Sequence, residues 1–170
     1  MRLNLNKSLT HIQEQVSPDS LTNSCSGEGC QVYLTDIPSQ KVVIDIEKEF
    51  DARGESGKRC DRMLFYGNDA KKTFIAVPIE LKSGKAEESD VREKLENSLK
   101  FAATIAPPRK ESGETVYVPV LFHGRGINWT NPRHRQQFTV NFQGKPLQIL
   151  IGRCGRKKNL ANLLSEAGYL

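Results

Sequence analysis

Three residues in the first half of the chain have the types and spacing needed for metal-assisted phosphate chemistry. Glu80 and Lys82 are two residues apart at the end of an apolar segment, so on a β-strand both side chains leave the same face, roughly 6 to 7 Å apart. Asp61 lies 19 residues before Glu80, on a segment that we expect to pair with that strand. The two carboxylates can hold Mg²⁺ or Mn²⁺, and Lys82 can orient the attacking water or offset charge on phosphorus. The alternative is a structural salt bridge at a strand end.

Alternating and helical patterns predict the elements that position these residues. Strands are expected at 41–47, 59–66 and 72–82, arranged as an antiparallel meander, with a bulge, bend or free edge at Pro78 because proline has no N–H to donate. Helices are predicted at 8–16 and 89–105, and a strand covered on both faces at 115–122. A strand pair at 137–142 and 146–151 and a helix at 160–167 follow. The order α-β-β-β-α-β, followed by these additions, favours one α/β domain over residues 1–170, with a mixed central sheet flanked by helices.

The charge of the chain is unevenly distributed. The full chain has a net charge of +5, but residues 115–165 contain eight basic side chains and no Asp or Glu. The remaining residues hold the other 17 of the 25 basic side chains and all 20 acidic ones. A basic C-terminal third of this kind is typical of a surface that binds a polyanion, although a merely soluble basic surface is the alternative.

Six residues of this basic third are candidate nucleic-acid contacts. The segment 125–135 interleaves an aromatic ring with cationic side chains, which suits phosphate contacts and stacking on an unpaired base, and two lysines precede the last predicted helix. The alternative for the segment is a loop that covers an edge of the core. The candidates are Arg125, Trp129, Arg133, Arg135, Lys157 and Lys158.

Two segments resemble a known nuclease family. RCDRMLFYG at 59–67 and TFIAVPIELKSGK at 73–85 resemble motifs II and III of the PD-(D/E)XK nuclease superfamily, and the expected element order resembles its restriction-endonuclease-like core. The resemblance covers about residues 41–122. It implies that Asp61 and Glu80 are metal ligands and that Lys82 is the catalytic lysine. The wider pattern VVIDIEK, RCD, ELKSG and RCG is similar to small bacterial proteins of this type and indicates no particular substrate.

A further acidic ligand is expected on the first strand. Asp45 and Glu47 share one face of the predicted strand at 41–47, within hairpin distance of Asp61, and we favour Asp45 as the third metal ligand. Charged side chains that alternate along a solvated strand face are the competing interpretation.

The four cysteines allow two interpretations. Cys25 and Cys30 are separated by four residues and could form half of a structural zinc site that Cys60 and Cys154 complete. We instead expect reduced, partly buried thiols, because a cytosolic setting would keep them reduced. A cytoplasmic location is expected because the first residues lack the apolar stretch of a secretory signal and no apolar run reaches the length of a membrane span.

The resemblance and the charge distribution together predict a Mg²⁺- or Mn²⁺-dependent nuclease that hydrolyses phosphodiester bonds. DNA is the expected substrate, and a bacterial or phage defence, restriction or repair role would suit the family. Many nucleases that cut both strands act in pairs, so a homodimer is compatible with this prediction. The alternative is a non-catalytic module on the same fold that binds nucleic acid or another protein.

Overall fold

A computed structural model describes residues 4–170 as a mixed β-sheet with helices on both of its faces. The helices are α1 Leu5–Gln15, α2 Ile46–Ala52, α3 Glu88–Ile105, α4 Arg109–Ser112 and α5 Asn159–Glu166. The strands are β1 Leu21–Thr22, β2 Lys41–Asp45, β3 Arg62–Asn68, β4 Thr73–Lys82, β5 Ala86–Glu87, β6 Glu114–Tyr117, β7 Val120–His123, β8 Ile127–Asn128, β9 Thr139–Phe142, β10 Lys145–Gln148 and β11 Leu150–Arg153.

The main sheet has seven strands and combines an antiparallel half with a parallel half. Its order is β1-β2-β3-β4-β7-β11, and β6 also pairs with β4. Strands β1 to β4 pair antiparallel, whereas β4, β7 and β11 are parallel to one another. Helix α3 lies in the connection from β4 to β6 and β7, as a parallel crossover requires. The carboxyl ends of β4, β7 and β11 therefore lie side by side at one edge of the sheet.

Each face of this sheet buries its own hydrophobic cluster. On one face, Met63, Phe65 and Phe74 of the meander pack with α1, α3 and the β9–β10 hairpin. On the other face, Leu64 and Ile79 pack with α5 and the loop that contains Cys25 and Cys30. Alternation along β3 and β4 thus assigns each side chain to a definite face, which fixes where the polar residues at the strand ends point.

The predicted α/β class with a mixed sheet and flanking helices is confirmed, but several boundaries differ. The first strand ends at Asp45, where α2 begins, and the expected pair at 137–151 is a separate β9–β10 hairpin followed by β11 in the main sheet. The expected strand at 115–122 is divided into β6 and β7 at Val118 and Pro119. Pro78 lies within β4, at the point where β4 changes its parallel partner from β6 to β7. The missing N–H of Pro78 therefore coincides with a break in the neighbouring strand.

The cysteines form one disulfide and two buried thiols. Cys30 and Cys154 are bonded to each other across 124 positions of sequence, so the expectation of four reduced thiols is wrong for this pair. Cys25 and Cys60 are free and buried, as expected, but they belong to the clusters on opposite faces of the sheet. The four sulfur atoms therefore do not converge, which contradicts the idea of a four-thiolate zinc site.

Among residues 4–170, no helix combines the length and the apolar character needed to cross a membrane.

Candidate active site

Pairing of β3 with β4 brings Asp61 and Glu80 together. The backbone N–H of Asp61 donates to the carbonyl of Ile79 at 3.1 Å, and its carboxylate Oδ2 accepts the N–H of Leu81 at 2.8 Å. These two bonds hold Asp61 against the backbone on either side of Glu80, so that the two carboxyl groups lie next to each other. Both side chains lie on the face of the sheet that packs against α3, as the alternation along the strands requires.

Glu80 is a buried acid whose hydrogen-bonding capacity is only partly used. Its side chain is 1% exposed, and its Oε2 atom lies 2.8 Å from Nζ of Lys94 on α3. Its Oε1 atom has no hydrogen-bond partner among the described residues. A buried carboxylate oxygen without a partner is costly, so it is a position at which a bound cation or proton would be stabilising.

The electrostatics of the pair favour one bound proton. Burial, with the adjacent Asp61 carboxyl adding to it, raises the pKa of Glu80 to about 9. Burial opposes the charge of Lys94, but its hydrogen bond to Glu80 and the nearby Asp90 outweigh that effect and raise the pKa of Lys94. Lys94 is therefore charged at neutral pH, and Glu80 takes up a proton unless another cation replaces it.

The two carboxylates are suitable donors for a hard divalent cation. Mg²⁺ is commonly held by one or two carboxylates and completes its coordination with water and substrate phosphate oxygens. The described part of the chain contains no group of three or more His, Cys, Asp or Glu side chains arranged as metal ligands. Asp61 and Glu80, with the unpartnered Oε1, are the donors on which a metal site here would be built.

Lys82 and Lys94 occupy different positions around this pair. Lys82 is exposed at the end of β4, on the same strand face as Glu80, whereas Lys94 contacts Glu80 directly. Sequence analysis assigned Lys82 and missed Lys94. The available signal was helical phase: Lys94 follows Val91 by three positions and precedes Leu95, so it lies at the border of the buried face of α3.

The structure does not bring Asp45 to the Asp61–Glu80 pair. Its carboxylate caps α2 by accepting the N–H of Lys48 at 3.2 Å, and it lies 3.6 Å from Nη1 of Arg62. In the sheet Asp45 is paired with Arg62, the residue after Asp61, so alternation directs it to the opposite face. These contacts give Asp45 the role of a helix cap rather than that of the third ligand we expected, and Glu47 lies on α2.

The candidate nucleic-acid contacts have different surroundings. Arg125, Arg133, Arg135 and Lys157 are exposed, whereas Lys158 forms an ion pair with Asp36 at 3.0 Å. Trp129 is partly buried, and its ring meets that of Phe138 edge to face at 5.1 Å between centroids. The geometry of Trp129 therefore fits the alternative in which this loop covers an edge of the core.

The loop 129–137 is anchored to α3 through a second buried acid, Glu88. Its side chain is 1% exposed and contacts Nδ1 of His134 at 2.5 Å and Nη2 of Arg92 at 3.4 Å. It also accepts the N–H of Thr130 at 2.9 Å. All of these contacts are internal to the fold, so Glu88 holds the basic loop in place and His134 is an anchor of that loop.

Comparisons of the chain with family models, with curated proteins and with solved structures found no match.

Proposed function

We propose that the protein is a metal-dependent nuclease whose active site is built on Asp61 and Glu80. The observation that carries the proposal is the pairing of buried Glu80, which has one unpartnered oxygen, with half-buried Asp61 at the edge of the sheet where three parallel strands end. Buried acids with strongly shifted pKa values are concentrated at functional sites. The proposed fold family is the restriction-endonuclease-like core, supported by the α1-β2-β3-β4-α3-β7 order and by the motif resemblance given above.

Each residue has a defined role in this proposal. Asp61 and Glu80 hold Mg²⁺ or Mn²⁺, and Lys94 stabilises the negative charge that Glu80 acquires when its proton leaves. A divalent ion, when bound, polarises a phosphate oxygen and supplies a nucleophilic hydroxide near neutral pH. Lys82 extends from the same strand face toward solvent, where it can orient the attacking water or offset charge on the phosphorus.

DNA is the proposed substrate, and host defence, restriction or repair the proposed setting. The support is the basic third of the chain, in which Arg125, Arg133, Arg135 and Lys157 are exposed. Phosphate contacts by such side chains position a nucleic acid without reading its sequence. We propose that cleavage of both strands would require two copies of the chain.

A non-catalytic nucleic-acid-binding module is the second candidate, and one contact favours it. Lys94 already provides a cation 2.8 Å from Glu80, so the buried acid is partly compensated without a metal. In that case the site would be an ion-pair network that stabilises the fold, and the basic residues would carry the function.

The deciding experiment is cleavage of supercoiled plasmid, linear DNA and RNA with Mg²⁺, Mn²⁺ or a chelator. Wild-type protein would be compared with Glu80→Gln and Lys82→Ala, and with Glu93→Gln as a control, because Glu93 is an exposed acid on α3 outside the site. Metal-dependent cutting that both site variants lose and the control retains supports the nuclease. Salt-sensitive binding by all four proteins, with no cutting by any of them, supports the binding module instead.

A further inference from the structure

Three residues form a row beside the carboxylate pair at the carboxyl edge of the parallel strands. Lys82 ends β4, His123 ends β7 and Arg153 ends β11, and the strand registers pair Lys82 with His123 and His123 with Arg153. Paired residues of neighbouring strands project from the same face of a sheet. Each of the three residues comes two positions after a residue of its own strand that faces α3. Because side chains alternate along a strand, the row lies on the same face of the sheet as Glu80.

His123 presents a neutral N–H donor within this row. The side chain is 9% exposed, and its Nδ1 atom accepts the backbone N–H of Gly126 at 2.9 Å. A neutral imidazole whose Nδ1 accepts a hydrogen bond carries its proton on Nε2. Burial, together with the positive charge of Arg153, lowers the pKa of His123, so the neutral form persists at neutral pH.

The two cations of the row have no acidic partner. No ion pair among residues 4–170 involves Lys82 or Arg153. Both side chains are exposed. Among the described residues, the guanidinium of Arg153 donates one hydrogen bond, a long one of 3.4 Å from Nη2 to the carbonyl of Gly124. Their donors are therefore available to an anion.

The backbone beneath the row is held by several cross-connections. The N–H of Gly124 donates to the carbonyl of Lys82 at 2.8 Å, and the N–H of Cys154 donates to the carbonyl of His123 at 3.0 Å. The Cys30–Cys154 disulfide fixes the residue next to Arg153. A site whose donors are held in place before binding loses less entropy when the ligand arrives.

We propose that Lys82, His123 and Arg153 form a phosphate-binding subsite for the nucleic-acid strand, one that positions a backbone phosphate next to the bond to be cleaved. Neighbouring strands are about 4.8 Å apart, so the row extends over roughly 10 Å from β4 to β11. Arg153 offers a fork of N–H donors that suits two phosphate oxygens, while His123 adds a neutral donor and Lys82 a point charge. The inference rests on the proposed function because it defines the path of the substrate strand across the same site.

The test is a binding measurement that does not depend on cleavage. Fluorescein-labelled single-stranded and duplex DNA would be titrated in chelator at several salt concentrations, with wild-type protein, Arg153→Gln and the control Lys100→Gln. Lys100 is exposed on α3 and pairs with Glu96, so this substitution removes the same charge outside the row. Loss of one phosphate contact is expected to reduce the slope of log affinity against log salt by about 0.9 for duplex or about 0.7 for single-stranded DNA. Lys100→Gln should leave that slope unchanged.

Two further variants test the geometry of the row. Arg153→Lys keeps the charge but not the fork, so it should restore most of the slope and only part of the affinity. His123→Gln keeps an N–H donor and should bind more tightly than His123→Ala. Thermal midpoints of all variants would be compared, so that a folding defect is recognised as such.

The outcomes separate this inference from the proposed function. A smaller slope of log affinity against log salt in Arg153→Gln supports the subsite even if the protein cuts nothing. In that case only the nuclease proposal is contradicted. Equal slopes for Arg153→Gln and Lys100→Gln, or no DNA binding by wild-type protein, would overturn the subsite. Binding of inorganic phosphate by wild-type protein but not by Arg153→Gln, together with equal DNA slopes for these two proteins, would assign the row to free phosphate and overturn its assignment to a strand.

Discussion

The disulfide makes a prediction about stability that can be worked out from its position. Cys30 and Cys154 close a loop of 124 residues, the largest part of the chain. In the chain-entropy model, a cross-link over that distance removes about 16 cal/mol/K from the unfolded ensemble, or about 5 kcal/mol at 25 °C. Domains of this size have total stabilities of about 5 to 15 kcal/mol. Reduction should therefore lower the free energy of unfolding by about 2 to 5 kcal/mol, the range observed for native disulfides.

The assay is urea unfolding followed by fluorescence, with and without a dithiol reductant. The double variant Cys30→Ala/Cys154→Ala is the matched control, because the reductant should not change its stability. Thiol titration of the denatured, unreduced wild-type protein should give two free groups, from Cys25 and Cys60, and four after reduction. Four free thiols before reduction, or a wild-type midpoint that the reductant does not shift, would refute the reasoning.

Three further predictions concern the acids and the lysine around the candidate site. In chelator, the stability of wild-type protein relative to Glu80→Gln should be greatest at and below about pH 4.5. It should fall by at most about 1.4 kcal/mol per pH unit as pH rises toward 9, since the pKa of native Glu80 is raised to about 9 and the unfolded chain releases this proton above pH 4.5. Urea unfolding measures this difference, and a constant value between about pH 5 and 9 would contradict the prediction. Lys94→Met should reduce kcat for cleavage about 10²-fold or more, with little change in DNA affinity. The control is Glu93→Gln, and an equal loss of kcat in that variant would indicate a general effect on α3. Asp45→Ala should lose about 1 kcal/mol of stability through its helix cap while keeping metal-dependent cleavage, and loss of cleavage without loss of stability would restore Asp45 as a ligand.

The part of the site that was predictable from sequence is the part made by local pairing. Asp61 immediately precedes β3 and Glu80 lies on the adjacent strand β4, so strand alternation and a short connection were enough to place them on one face. Asp45 was misplaced because the register of β2 with β3 pairs it with Arg62, and the sequence of one strand does not specify that register. The predicted strand was also two residues too long, because it ran through the start of α2. Hydrophobic alternation does not reveal a change from strand to helix when Ile46 satisfies both patterns.

The remaining features depend on contacts between distant segments. Lys94 reaches Glu80 only because the crossover helix sits at a particular rotation over the sheet, which the sequence of α3 does not specify alone. His123 and Arg153 become neighbours through the parallel pairing of β7 with β11, whose register is set by the completed fold. The disulfide likewise requires the Cα atoms of Cys30 and Cys154 to approach to 5.0 Å across 124 positions.

The division of the sheet into antiparallel and parallel halves has a consequence for folding. Strands β2, β3 and β4 follow one another closely, so their pairing closes short loops. In contrast, β7 pairs with β4 across the segment that contains α3, and β11 pairs with β7 across the segment that contains the β9–β10 hairpin, so both of these pairings close longer loops. We expect the meander to form early and the β7–β11 pair to join it late, with the disulfide closing last. The carboxylate pair would then exist before the phosphate row does, and the chain would acquire affinity for a cation earlier in folding than affinity for a nucleic-acid strand.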